Sequence, residues 1–179
     1  MDAPRRVVTG TNIAGKAVFV SDGPAPRSHP YASIPGMRNT IVWSTGADAL
    51  PSSQDPTVGL DRDVPDHGET RLVFVTFAPD SAFAEPTFDP AAVAEDDRIA
   101  TPMLGALFEP DHPGMHRAPT IDYAIVLDGE IHLELDDGQT TRLGRGDVVI
   151  QNATRHAWRN LSDSPATVAF TWIGIGPVA

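Results

Sequence analysis

The sequence contains no cysteine. Disulfides, thiolate zinc sites and cysteine nucleophiles are therefore excluded, and any metal would have to be held by histidine nitrogen and by carboxylate or water oxygen. No run of about 18 apolar residues occurs that could span a bilayer. The first residues, Met1 to Arg6, pass straight into Val7-Val8 without the apolar stretch of a secretory signal, so a cytoplasmic protein is expected. Positive charge is scarce: 13 Lys and Arg stand against 24 Asp and Glu, a formal net charge of −11. Phosphate backbones and anionic lipid surfaces are repelled on average by such a chain, and neither nucleic acid nor a membrane is expected as a partner. The acidic residues gather in loop-like stretches such as 61–69 and 95–97, where they read as solvated surface.

What the sequence has in quantity is proline and glycine, 17 and 15 in 179 residues, together with 41% hydrophobic residues. That length corresponds to about one domain with one sizeable core. Breakers at such short intervals leave segments too short for many helices and well suited to strands joined by turns. Strand-like pieces occur at 5–8, 17–21 and 39–43, with Asp22-Gly23 as a turn and a Pro-rich loop after it. Residues 45–69, rich in Pro, Asp, Gly and Ser without periodicity, read as a long loop or lid before a strand over 71–77. Residues 89–108 are the one helical stretch, limited to short pieces by Pro102.

The strongest pattern begins at Ile121. A strand to Leu127, Asp128-Gly129, a strand over 131–135, Asp137-Gly138, a strand over 140–143 and another over 148–150 make a meander. Asp-Gly between strand-like runs is the strongest short-range hairpin signal, because glycine accepts the positive φ of a type I′ turn. A polar turn over 162–165 and a last strand over 166–175 complete the series, and turns at this spacing suit a sandwich or barrel.

Two short motifs lie on this meander. The first is Gly114-Met115-His116-Arg117-Ala118-Pro119-Thr120-Ile121-Asp122, ending at Gly129; the second is Gly146-Asp147, then His156, then Asn160. With them the chain resembles the cupin family, of the small single-domain cupin-2 type. The resemblance implies an all-β fold, a jelly-roll-like β-barrel with additional N-terminal strands. Residues 1–99 would be the strands and long loop that extend the barrel and 100–179 its core, in one compact domain. The first motif departs from the family at two places, with Ala118 at the second His position and Asp122 at the Glu position. The second has a turn one residue shorter than usual.

The resemblance also implies where chemistry would lie. A full cupin set of three His and one Glu binds a divalent transition metal in an open site. Here His116, Asp122 and His156 are the corresponding candidates, as ligands for Fe, Mn, Ni or Zn or as catalytic groups without metal, with His112 as a substitute ligand. Without metal, Asp122 and His156 in an apolar barrel would have proton affinities shifted toward neutrality. Such groups could remove a proton next to a carbonyl and return one to a leaving hydroxyl, as a lyase or isomerase does. The alternatives are a metal-dependent dioxygenase-like oxidoreductase and a non-catalytic cupin binding a small ligand. A homodimer is implied by resemblance alone.

Asp122 interrupts an otherwise apolar strand, so it needs a partner or a purpose; Arg117 and Arg155 are the candidates for an ion pair. Trp158 and Tyr123 are the aromatic candidates for the cavity wall, although regular alternation places Tyr123 opposite Asp122. The same alternation puts His132 and Glu134 on the solvent face, and His29 and His67 have no ligand-like spacing.

Overall fold

Runs of Val, Ile, Phe and Thr that alternate in polarity and end at Gly, Pro or Asp form pleated strands, because β-branched and aromatic side chains pack well on a half-buried sheet face. The computed structural model describes residues 2–51 and 54–176. Ser52 and Ser53 of the expected loop, and the extreme ends of the expected domain, lie outside the described residues. The chain forms β1 (Arg5–Thr11), β2 (Ala17–Pro24), β3 (Arg27–Pro30), β4 (Arg38–Thr45) and β5 (Thr70–Phe77), then α1 (Pro90–Ala100) and α2 (Pro102–Gly105). The remainder is β6 (Thr120–Asp128), β7 (Glu130–Glu134), β8 (Thr140–Gly144), β9 (Val148–Asn152), β10 (Ala157–Arg159) and β11 (Ala166–Gly174).

Two of these elements depart from the sequence expectation. Asp22 and Gly23 are not a turn but part of β2. The reversal comes earlier, where Asn12 Oδ1 accepts hydrogen bonds from the backbone N–H groups of Ala14 and Lys16 at 2.9 and 3.0 Å. The Pro-rich segment that follows carries β3, paired antiparallel with β4.

The strands make a six-stranded antiparallel sheet in the order β3-β4-β5-β11-β6-β9, a three-stranded sheet β10-β7-β8, and a β1-β2 ribbon. β11 is the hinge of this arrangement. It pairs with β5 along one edge from Ala166↔Phe77 to Ile173↔Thr70, and with β6 along the other from Thr167↔Asp128 to Gly174↔Thr120. The two larger sheets face each other across one core, to which Val73 of β5, Val168 of β11 and Ile131 of β7 each contribute a side chain with no exposed surface. Burial of such a side chain stabilises the fold by about 1.5–3 kcal/mol. This is the all-β, jelly-roll-like barrel with N-terminal strands added to its wall. Of the two expected Asp-Gly hairpins one forms: Asp137 and Gly138, between the paired β7 and β8, have φ of 58° and 68°, the left-handed pair that a type I′ turn requires. Asp128-Gly129 closes no hairpin, because β6 pairs with β11 and β9 while β7 pairs with β10 and β8, so the chain crosses from one sheet to the other there.

The helices form as the sequence indicates. Asp89 caps α1 by accepting from Ala91 N–H at 2.9 Å, and Pro90 occupies the first turn, where its missing donor costs nothing. Ala100 packs beside Tyr31, Ile34 and Ala78 in a small second cluster, joined by Val93. That contact seats the helical segment across one end of the sheets.

Asn160, fully buried, ties three parts of the barrel together. Its Nδ2 donates to Phe77 O at 3.0 Å and Ser164 O at 2.8 Å, and its Oδ1 accepts from Ser162 N and Oγ at 3.1 and 2.7 Å. Its own backbone N–H donates to Asp80 Oδ1 at 3.0 Å. Truncation would leave buried backbone groups unpaired, so Asn160→Ala should lower unfolding free energy by about 2–4 kcal/mol in a denaturant titration. A variant within 0.5 kcal/mol of the parent would show that water replaces these bonds at little cost.

Candidate active site

His116 and His156 lie far apart in sequence and meet through the backbone. They form an isolated antiparallel bridge in which His116 N–H donates to His156 O at 3.0 Å and His156 N–H to His116 O at 2.9 Å. Directly opposed residues of such a pair project from the same face. The two imidazoles therefore stand side by side, ring centroids 4.4 Å apart. Each Nδ1 lies against a carbonyl two residues upstream, Gly114 O at 3.1 Å for His116 and Thr154 O at 3.0 Å for His156. A carbonyl can only accept, so both rings are held as the Nδ1–H tautomer, and each Nε2 keeps a lone pair.

Burial disfavours charge on both rings. It lowers the proton affinity of His116, and burial followed by the neighbouring His116 pushes His156 down to about 4. At neutral pH the pair is uncharged and acts as two hydrogen-bond acceptors.

Asp122 comes from β6, whose inward row Thr120, Asp122, Ala124 and Val126 is buried while Tyr123, Ile125 and Leu127 face outward. Burial pushes its carboxyl up to about 6, opposed by a hydrogen bond from the Thr120 side chain. Its Oδ1 is buried without a hydrogen-bond partner among the described residues. The expected ion pairs do not form: Arg117 Nε donates to Ala153 O at 2.9 Å, and Arg155 is taken by Glu109 and Asp136. An orphaned oxygen at this depth is costly to keep, and the Asp122 side chain lines a cavity that also receives both histidines.

That cavity measures about 670 Å³ and lies between the sheets under the helical segment. Its wall carries a continuous run of rings in contact, Phe108 to His116 at 5.0 Å, His156 to Trp158 at 6.3 Å, Trp158 to Phe170 at 5.3 Å and Phe170 to Trp172 at 6.4 Å. Trp158 lines it as anticipated; Tyr123 does not, because it is 48% exposed on the outer face of β6. His112 is also outside, with an exposed ring whose Nδ1 lies 3.3 Å from Glu109 on the surface.

The cover is a further correction. The 45–69 loop contributes only Val64 to the wall among the described residues, whereas Phe83, Phe88, Val93, Asp97 and Leu104 come from the helical segment and its approach. The loop is instead held along the strands by Asp55, which accepts from Arg6 and Thr57, and by Arg62 O, which accepts from the buried Arg71.

The three-residue metal set does not assemble. Among the described residues no group of three or more His, Asp or Glu side chains is arranged to hold a metal ion. Ala118 lines the cavity where the family's second His would stand, and Asp122 is a methylene shorter than Glu. Two adjacent imidazoles remain, one ligand short of the usual protein set.

Some site residues were not anticipated. Tyr31, from the segment after β3, donates its hydroxyl to Asp97 Oδ1 of α1 at 2.7 Å, and both line the cavity. Asn39 of β4 and Asp80 line it too. No local motif marks them; they reach the site only because β4 and β5 join the barrel wall.

Residues 106–174 match the family model described as Cupin domain. Phomopsin biosynthesis cluster protein C′ of Diaporthe leptostromiformis is 58% identical over 48 residues, 27% of this chain and 25% of that protein. The chain thus matches about a quarter of that relative's length. The cupin-domain-containing oxidoreductase fogC of Aspergillus ruber is 28% identical over 170 residues, 86% of this chain and 77% of that protein. Among solved structures, a Cupin 2 conserved barrel domain protein from Salinispora arenicola CNS-205 is similar at 15% identity and TM-score 0.40, over 81% of this chain and 80% of that one. The region matched by the Cupin domain model runs from the cavity's Phe108 through both histidines and Asp122 to β11.

Proposed function

We propose that the barrel is the active site of a metal-independent lyase or isomerase acting by proton transfer on a small carbonyl compound. The observation that carries this reading is the buried Asp122 side chain, its Oδ1 unpartnered among the described residues, on the wall of the same cavity as two neutral imidazoles. A carboxyl held near 6 is mostly ionised at neutral pH, yet more basic than an ordinary carboxylate.

The roles follow from the protonation states. A substrate hydroxyl donates to the Nε2 of His156 or His116, which fixes its oxygen. Ionised Asp122 removes a proton from the carbon between that hydroxyl-bearing carbon and the carbonyl. The protonated Asp122 then gives the same proton to the hydroxyl oxygen, the C–O bond breaks, and water leaves with an α,β-unsaturated carbonyl as product. Electrons and atoms balance without oxidant or reductant. Return of the proton to a different carbon instead gives an isomerase. The ring-lined wall keeps bulk water from the carbanion-like intermediate.

A second reading, an oxidoreductase, is favoured by the similarity to the cupin-domain-containing oxidoreductase fogC. It would need an electron acceptor or a metal, for which the two histidines alone supply too few ligands.

The test is a panel of uncharged β-hydroxy ketones and esters incubated in D2O, with deuterium incorporation at the α-carbon and loss of water followed by NMR. Exchange should persist after dialysis against EDTA and rise with pH through about 6 as Asp122 ionises. Asp122→Asn should reduce it by about 10²–10⁴-fold. Exchange that vanishes with EDTA and returns with Fe(II) would overturn the metal-free reading, and an oxidised product formed in place of exchange and water loss would favour the oxidoreductase.

Stability should report the same groups. Asp122 rises from 3.8 to about 6 on folding, so its contribution is fully present below 3.8 and is lost as pH rises through 6. By pH 7.5 that loss amounts to about 3 kcal/mol. His156 falls from 6.5 to about 4, so its contribution is present above 6.5 and lost as pH falls toward 4. The two slopes oppose each other. Asp122→Asn should therefore melt above the parent at pH 7.5, and the advantage should shrink as pH falls to 5. An advantage equal at both pH values would mean that the carboxyl is not held at a raised proton affinity.

A further inference from the structure

The cavity has a chemical polarity of its own, separate from the proton transfer assigned to Asp122. Four charged side chains reach its wall among the described residues: Asp80, Asp97, Asp122 and Arg159. The one cation is already committed, since Arg159 Nε donates to Glu134 Oε2 at 2.6 Å and its guanidinium also donates to Pro113 O at 2.7 Å. Three carboxyl groups therefore face the cavity against a guanidinium neutralised by Glu134.

The two imidazoles point the same way, while Asn39, Thr101 and Thr120 add uncharged groups that can both donate and accept. His116 and His156 present Nε2 as acceptors, because their Nδ1–H groups are spent on Gly114 O and Thr154 O. The Tyr31 hydroxyl, a potential donor, is spent on Asp97. Between these groups run the faces and edges of aromatic rings, with Phe83 and Phe88 adding an edge-to-face pair at 5.5 Å. Aromatic faces attract cations and repel anions.

A ligand carboxylate or phosphate entering such a cavity would lose its hydration and meet carboxylates and lone pairs, offset only by the uncharged donors of Asn39, Thr101 and Thr120. An ammonium or a hydroxyl would find acceptors. We infer that the cavity selects a ring-bearing apolar molecule that carries an amine or hydroxyl donor and no anionic group, and that Asp97, positioned by Tyr31, is the residue that enforces this choice. The inference rests on the reading of this cavity as the substrate site and narrows it: the carbonyl compound would be a ketone, aldehyde or ester, not a free acid or a phosphate ester. Asp97 recognises the donor and takes no part in proton transfer at Asp122.

The experiment is isothermal titration calorimetry of the full chain with three probes of one shape: 2-(2-naphthyl)ethylamine, 2-(2-naphthyl)ethanol and 2-naphthylacetate. At pH 7.5 the amine and the alcohol should each bind about tenfold or more tightly than the carboxylate. Asp97→Asn should narrow the amine-to-carboxylate ratio about fivefold or more while the alcohol changes little. Carboxylate binding as tight as amine binding in the parent, or no measurable binding of any of the three, overturns the inference. The parent ratio decides this even where Asp97→Asn does not fold. An unchanged ratio in a folded Asp97→Asn protein removes Asp97 from the role. Asp122→Asn separates the two proposals: selectivity retained with α-proton exchange lost supports both, and selectivity retained with exchange intact overturns only the lyase or isomerase reading.

Discussion

The double pairing of β11 is the constraint on which the rest of the molecule depends. One edge of this strand takes β5 and the other β6, so β3, β4 and β5 share a single sheet with β6, β9 and β11 of the matched region. A strand paired on both sides and covered on both faces has no freedom of register, because a shift of one residue would turn Phe170 and Trp172 away from the core. With β11 fixed, β6 is fixed beside it. Asp122 lies opposite Trp172 and is forced into the interior row. The buried carboxyl is thus a consequence of register.

The histidine pair follows from a second backbone constraint. One isolated bridge sets His116 against His156, and the carbonyls of Gly114 and Thr154 choose the tautomer of each ring. Burial then keeps both rings neutral. The site therefore combines acceptors of fixed direction with one group whose charge changes near neutral pH. Fixed acceptors and a desolvated carboxylate suit proton transfer on an uncharged substrate better than charge neutralisation of an anion.

The helical segment gives the cavity its depth. Asp63, buried, accepts from the backbone N–H groups of Met103 and Leu104, both at 3.0 Å, and Asp96 of α1 bonds His29 at 2.8 Å and Ser33 Oγ at 2.5 Å. These charge-assisted bonds hold α1 and α2 across the end of the sheets. The rings and Asp97 on this cover then become part of the wall rather than of a mobile surface.

How much of this could be read from residues alone depended on the range over which each cause acts. The strands from Ile121 onward and the β7–β8 hairpin were legible, because alternation and the Asp137-Gly138 turn act within a few residues; the expected meander was not what formed, since β6 pairs with β11 and β9 and β7 with β10 and β8. The two motifs likewise pointed to His116, Asp122 and His156 as one constellation. Asp22-Gly23 misled, since the same dipeptide lies within a strand when Asn12 makes the turn first. Residues 45–69 misled as a lid, since what pins that loop is a set of long-range bonds to Arg6 and Arg71. The sequence by itself determined an all-β chain, its β7–β8 hairpin, and the types of group that reach the site. Tertiary structure alone decided that, among the described residues, Asp122 has no counter-ion and no third ligand joins the histidines, and that Tyr31 and Asp97 line the cavity. Charge state and coordination depend on what packs within a few ångströms, and those neighbours come from strands whose pairing local sequence does not specify.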